Sequence, residues 1–159
     1  MEYILCGSLL ILNNMNTSLY TLAKSLLGKH LTLNNAVPQD VGCAECISKI
    51  LSLEGVYIPQ GGIAGTASLY EWLNTNPSFK LTTEPNEGVI IISPTGMGNG
   101  SIDGHVGIMG IFNVMYNQDW GIMSNDSNTG LLREQWSFES WKQYYCGYGG
   151  LPIYMFVLS

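Results

Sequence analysis

The order in which hydrophobic periodicities appear constrains this chain more than any other feature. Up to about residue 73 the apolar residues recur at helical spacing. Beyond it they fall in short continuous or alternating runs. Leu19, Leu22, Ala23, Leu26 and Leu27 predict a first helix from about Thr17 to Leu27, with Asn16 or Thr17 as its cap and Gly28 as its stop. Pro38 breaks the chain. A second helix is predicted from about Gly42 to Leu53, with Cys43, Ile47, Ile50 and Leu51 on one face and Gly55 at its end. A short helical piece follows from Ser68 to Leu73. Val89 to Ile92 then reads as a buried strand, His105 to Phe112 and Trp120 to Asn125 as a hairpin, Phe138 to Tyr145 as a short aromatic helix, and Ile153 to Leu158 as a closing strand. Helices first and strands second predict an α+β fold, with N-terminal helices packed on an antiparallel β-sheet, rather than alternating βαβ units.

A length of 159 residues fits one domain, 1–159, in which residues 1–16 form an apolar N-terminal extension. With 46% hydrophobic and 11% charged residues the chain can fill a core. A formal net charge of -6 is the wrong sign for phosphate binding, so no nucleic-acid partner is expected. The most apolar run, Tyr3 to Leu12, is ten residues long and too short to cross a bilayer. Glu2 stands where a signal peptide carries a basic residue, and no small-residue cleavage site follows. Neither a signal peptide nor a stable membrane span is expected.

The residues with chemistry are Cys43, in Val41-Gly42-Cys43-Ala44-Glu45, and His105, in Gly104-His105-Val106-Gly107-Ile108. A thiol at a helix start feels the positive end of the macrodipole, which favours thiolate. On that reading Cys43 is the most reactive of the four cysteines. An imidazole entering a strand can face it, with Cys as nucleophile and His as proton carrier. A lone cysteine at a helix start is usually packing, and a lone strand histidine is usually a satisfied core residue. The two together, with glycines beside the histidine that let substrate approach, point to catalysis.

The hairpin supplies a third residue. If Phe112 pairs with Gln118 across a five-residue loop, Asn113 to Asn117, then His105 lies opposite Asn125 on one face. Asn125 then orients the ring, and Asp126 takes its place if the register slips by one. The backbone N–H of Cys43 is a natural oxyanion donor, and the Gln39 side chain is a second candidate.

Cys43-Ala44-Glu45-Cys46 also has the spacing of a zinc or redox pair. No second such pair exists and no βαβ context surrounds it, so no metal or cofactor is expected. Cys46 reads as a core residue beside Ile50, and Cys6 as a buried small hydrophobe. Ser93 to Gly100 is a Gly-rich loop without the Lys-Ser/Thr of a P-loop, and reads as one wall of a cleft leading to His105. Trp72, Trp120, Trp136 and Trp141 read equally as sugar or peptide subsites and as core.

At these residues the chain resembles the CHAP and NlpC-type cysteine peptidases and amidases, and more closely the small phage-encoded peptidoglycan hydrolases of that group. The likeness lies in Leu19-Tyr20-Thr21-Leu22-Ala23-Lys24 with Leu27-Gly28, in Val41-Gly42-Cys43-Ala44-Glu45, in Ile91-Ile92-Ser93-Pro94-Thr95-Gly96, and in Gly104-His105-Val106-Gly107-Ile108. It implies a papain-like fold, Cys43 as nucleophile, His105 as general base and Asn125 as the polar third residue. It also implies cleavage of an amide in bacterial peptidoglycan by an endolysin or a virion-associated lysin. Such a protein waits in the host cytoplasm before release, or rides on the particle with virion proteins as partners. The alternatives are a bacterial effector amidase and a non-catalytic virion or binding protein retaining the fold. Asn86-Glu87-Gly88-Val89 departs from the Pro-Gly-Asp lead common in the group, and residues 1–12 have no counterpart there.

Overall fold

Ile90, Ile91 and Ile92 set the centre of the fold. Side chains alternate across a strand, so three consecutive β-branched apolar residues need cover on both faces of the sheet. The computed structural model describes residues 15–99, 102–113 and 118–159 and supplies both layers. Strands β1 (Phe79–Thr82), β2 (Ile90–Ser93), β3 (His105–Asn113), β4 (Asp119–Asn125), β5 (Leu132–Ser137) and β6 (Tyr154–Leu158) form one sheet in the order β1-β6-β2-β3-β4-β5. Every neighbouring pair is antiparallel.

One face is covered by α1 (residues 15–25), α2 (Cys43–Leu53) and α3 (Thr66–Thr75). Leu19, Ala23, Ile47, Ile50, Leu51, Leu69 and Leu73 meet Ile90, Ile92, Val106, Ile108, Met123 and Phe156 there. The other face carries Val89, Ile91, Met109 and Ile122, closed by Trp141, Tyr145 and Leu151. Trp141 belongs to α4 (Phe138–Trp141), which runs without a break into a π-helix, Lys142–Tyr148. The expected N-terminal helices on an antiparallel sheet are present. The aromatic helix is longer than its sequence pattern predicts and forms the second layer.

Four local expectations need correction. Asn16 and Thr17 lie inside α1 rather than capping it, while Gly28, with φ +82°, closes the turn after it as expected. β1 has no apolar run and was missed; Lys80 is exposed, and the strand exists through its pairing with β6. β5 was not expected either, since Leu132–Ser137 carries exposed Arg133, Glu134 and Gln135 and is a strand through its pairing with β4; the expected closing strand is present and lies between β1 and β2. The hairpin register also differs: Gly107 lies opposite Ser124, Ile108 opposite Met123 and Met109 opposite Ile122. Nearer the turn, Phe112 faces Trp120 and Asn113 faces Asp119, so β3 takes three steps from Met109 where β4 takes two. That extra residue is a bulge. The pairs nearest the turn already stand two positions from the expected register, which keeps the faces, and the bulge moves the pairs beyond it by one, which puts His105 and Asn125 on opposite faces. The predicted loop at 114–117, the apolar extension and Cys6 lie outside the described residues. Among the described residues no helix is long and apolar enough to cross a membrane.

Candidate active site

The chain leaves Pro38 through a 3-10 turn, Gln39–Val41, and enters α2 at Cys43 with Gly42 as an N-cap that has no side chain to offer. Cys43 therefore sits where backbone N–H groups are unpaired. Ala44, Ile47, Ile50 and Leu51, all fully buried, lock the helix onto the sheet. Cys43 itself is 9% exposed and lines a cleft of about 350 Å³ at the end of the sheet. Burial pushes its thiol up to about 11, although backbone N–H groups of Ala44, Cys43 and Val106 pull the other way. The thiolate expected from the helix start is thus overruled by desolvation, and Cys43 rests as a thiol. Of the described cysteines, exposed Cys146 rather than Cys43 is the readily labelled one.

His105 opens β3 and lines the same cleft. Because Gly107 faces Ser124, His105 shares the sheet face of Ser124 and Ile122. Its ring stacks on Trp141 at 5.2 Å between centroids and on Tyr145 at 5.6 Å. Nε2 lies 2.9 Å from the Oγ of fully buried Ser124. Burial lowers the imidazole pKa to about 4, so the ring is neutral at physiological pH and able to accept a proton. Ser124 was not foreseen. Its signal is a small hydroxyl in the otherwise apolar Gly121-Ile122-Met123, legible only once the register is known.

Asn125 is buried and lines the cleft, but from the α2 side of the sheet. Its Nδ2 donates to the Gln39 carbonyl at 2.8 Å, which ties β4 to the turn that presents Cys43. Asp126 is spent on the following turn, accepting from Asn128 N at 3.0 Å and Thr129 Oγ1 at 3.1 Å, with Arg133 at 3.6 Å. Neither residue orients the imidazole. The site gathers Cys43 and Asn125 from one face of the sheet and His105 and Ser124 from the other, at the end where both faces open. The Gln39 side chain is exposed and packs beside Gly130, outside the cleft lining.

Thr66, at the start of α3, holds the Gly-rich loop in place. Thr95 N donates to Thr66 Oγ1 at 2.9 Å, and Gly104 N donates to Thr95 Oγ1 at 2.8 Å. The loop is a cleft wall through Thr95, as expected. The glycines beside His105 serve packing. A Cβ on Gly104 would strike the Ser93 carbonyl oxygen, and one on Gly107 would lie 2.6 Å from Ile122 Cγ2. Of the tryptophans, Trp136 lines the cleft and Trp141 is core. Trp72 packs on Phe79 and Trp120 on Phe112. In β5 a second bulge sets Gln135 between the pairs Ile122–Trp136 and Met123–Glu134, aiming Gln135 and Trp136 at the cleft. Cys46 is buried in the α2 core, its thiol pushed up to about 12. Among the described residues no three His, Cys, Asp or Glu side chains cluster as a metal site would require. No protein-family model matches the chain, and no curated protein matches it in sequence.

The buried imidazole makes stability depend on acid. Its folded pKa, about 4, lies below the ordinary value of 6.5. Between those values the unfolded chain binds the extra proton, so stability present above pH 6.5 falls as pH drops toward 4, by about 3 kcal/mol in all. Urea unfolding at pH 7 and pH 4.5 measures this, and His105→Gln is expected to flatten that part of the profile.

Proposed function

We propose that this chain is a papain-like cysteine hydrolase of the CHAP/NlpC type that cleaves an amide bond of bacterial peptidoglycan. The bond is a stem or cross-link peptide bond or the muramoyl-alanine link, and the protein acts as a phage endolysin or a virion-associated lysin. One observation carries the reading: a cysteine at a helix start and a neutral, oriented imidazole at a strand start open on the same cleft. The wall substrate is supported by the resemblance of the four stretches named above.

With Nε2 engaged by Ser124, Nδ1 is the ring nitrogen left for the thiol. For Nδ1 to act as base, Nε2 carries the hydrogen and donates it to Ser124 Oγ. As Sγ adds to the substrate carbonyl, the thiol proton passes to Nδ1 and the C=O electron pair moves to oxygen. Collapse of the adduct breaks the C–N bond, and the imidazolium protonates the leaving amine. Water then hydrolyses the thioester by the same proton route. Because thiol and imidazole both start neutral, proton transfer accompanies attack, in place of a standing thiolate–imidazolium pair.

The test is release of soluble fragments and new amino groups from purified peptidoglycan by wild type beside Cys43→Ala. Absence of release by wild type would sink the reading. In the same assay Ser124→Ala is expected to lower kcat about 10- to 100-fold with KM little changed, because it removes the group that fixes the ring. Asn125→Ala is expected to act mainly on stability, by about 1 kcal/mol, through loss of the Gln39 bond. The reverse ranking would return the orienting role to Asn125.

A further inference from the structure

Tyr145 is a titratable group in the cleft's aromatic wall that the mechanism above leaves idle, and it is far more deeply buried than its neighbour Tyr144. It is 6% exposed and lines the cleft with Cys43 and His105. Its ring lies nearly parallel to the imidazole, at 19°, and 5.2 Å from the Trp136 ring. It rides on the π-helix Lys142–Tyr148. π-Helical turns are rare, and they concentrate where a side chain is set for function. Trp141, one turn earlier, spends its N–H on Ser93 Oγ at 3.0 Å. The Tyr145 hydroxyl has no hydrogen-bond partner among the described residues. It is not one of the fully buried unpaired polar atoms, so it opens on the cleft and is free to donate to a group that enters it.

We propose that the Tyr145 hydroxyl donates a hydrogen bond to the substrate carbonyl oxygen as Cys43 adds to that carbonyl. The inference rests on the hydrolase reading above. The helix-start N–H of Cys43 supplies one donor to that oxygen, and Tyr145 supplies a second from the opposite layer of the molecule. The phenol keeps its proton throughout and only shares it. Burial, and next the nearness of Cys43, raise its pKa above the usual phenol value, so it remains a donor through the neutral and mildly alkaline range. Stacking on His105 fixes the ring, so that the hydroxyl is placed before substrate arrives and needs no reorganisation.

Tyr145→Phe tests this, because it keeps the ring, the stack and the packing and removes one oxygen. The expected result is a fall in kcat of about 100-fold on peptidoglycan fragments, with KM within about threefold and an unchanged melting temperature. A kcat within threefold of wild type, or a loss carried by KM alone, overturns the donor role. Cys43→Ala on the same fragments separates the two levels of inference. If Cys43→Ala is inactive and Tyr145→Phe is normal, only the donor role falls. If wild type is inactive, or Cys43→Ala retains activity, the hydrolase reading falls and takes this one with it. Tyr148→Phe, on an exposed tyrosine of the same helix that does not line the cleft, is the control and is expected to match wild type.

Discussion

Cys43→Ala is expected to remove at least about 10⁴-fold of the turnover on peptidoglycan while leaving a folded protein. The two halves of that expectation have separate physical grounds. The thiol is the only group at the start of α2 that can form the covalent bond, since Gly42 before it and Ala44 after it carry no nucleophile. The fold, by contrast, hardly needs the sulfur. Cys43 lies at the rim of the core rather than its centre, where Ile47, Ile50 and Leu51 anchor α2. Losing one rim sulfur costs about 1 kcal/mol. Activity and unfolding curves measured on the same preparation check both halves. Residual turnover above about 1% of wild type would show that another group attacks. A variant that fails to fold would show that Cys43 is structural, and Cys43→Ser would then be needed to separate thiol from volume.

Simple alkylation is a weaker test than the sequence leads one to expect. A helix-start cysteine predicts a ready thiolate, but burial outweighs the N–H groups around Cys43 and holds the thiol near 11. Cys146 is exposed and will consume a small alkylating reagent first. A substrate-shaped electrophile that fills the cleft, where His105 can take the proton, is the reagent suited to Cys43.

That difference illustrates what local sequence carries. α2, α3, β2 and the β3–β4 hairpin were readable because each buries its own periodic residues. Ile47, Ile50 and Leu51 recur as a helix requires, and Ile90 to Ile92 run unbroken as a strand buried on both faces requires. β1 was unreadable because Phe79 to Thr82 form a strand only against β6, whose residues come more than seventy positions later. Ser124 was missed for a related reason. A single bulge between Met109 and Phe112 shifts the register by one residue, and a shift of one exchanges the faces. Sequence spacing then selects Asn125, whereas the side chain at the imidazole belongs to its neighbour. The stacking around His105 comes from the layer formed by residues 138–148, and the high thiol pKa from the burial of Cys43 in the core on the α2 side. Both are tertiary contacts that local sequence does not signal.

Gly104→Ala is expected to be the most damaging single-methyl change near the site. Glycines beside His105 suggest room for substrate, but the space around Gly104 is already filled. An added Cβ would overlap the Ser93 carbonyl oxygen and lie 2.8 Å from Thr66 Oγ1. The first is backbone of β2, held in the ladder opposite His105. The second belongs to the Thr66–Thr95–Gly104 chain of hydrogen bonds that fixes the cleft wall. Neither can retreat without breaking a bond that positions His105. Overpacking of this kind costs about 3 kcal/mol, which for a domain of this size lowers the melting temperature by about 10 °C. Gly147→Ala is the comparison. Its added Cβ would meet only the Lys142 carbonyl oxygen, at 3.7 Å, and its φ is not positive. It is expected to melt as wild type does. Calorimetry on the two variants, with turnover alongside, separates the explanations. If Gly104→Ala melts normally but fails to turn over, the glycine serves substrate access and the packing argument is wrong. If it melts early and regains turnover on cooling, the glycine is there because two backbones and a threonine leave no room for a methyl group.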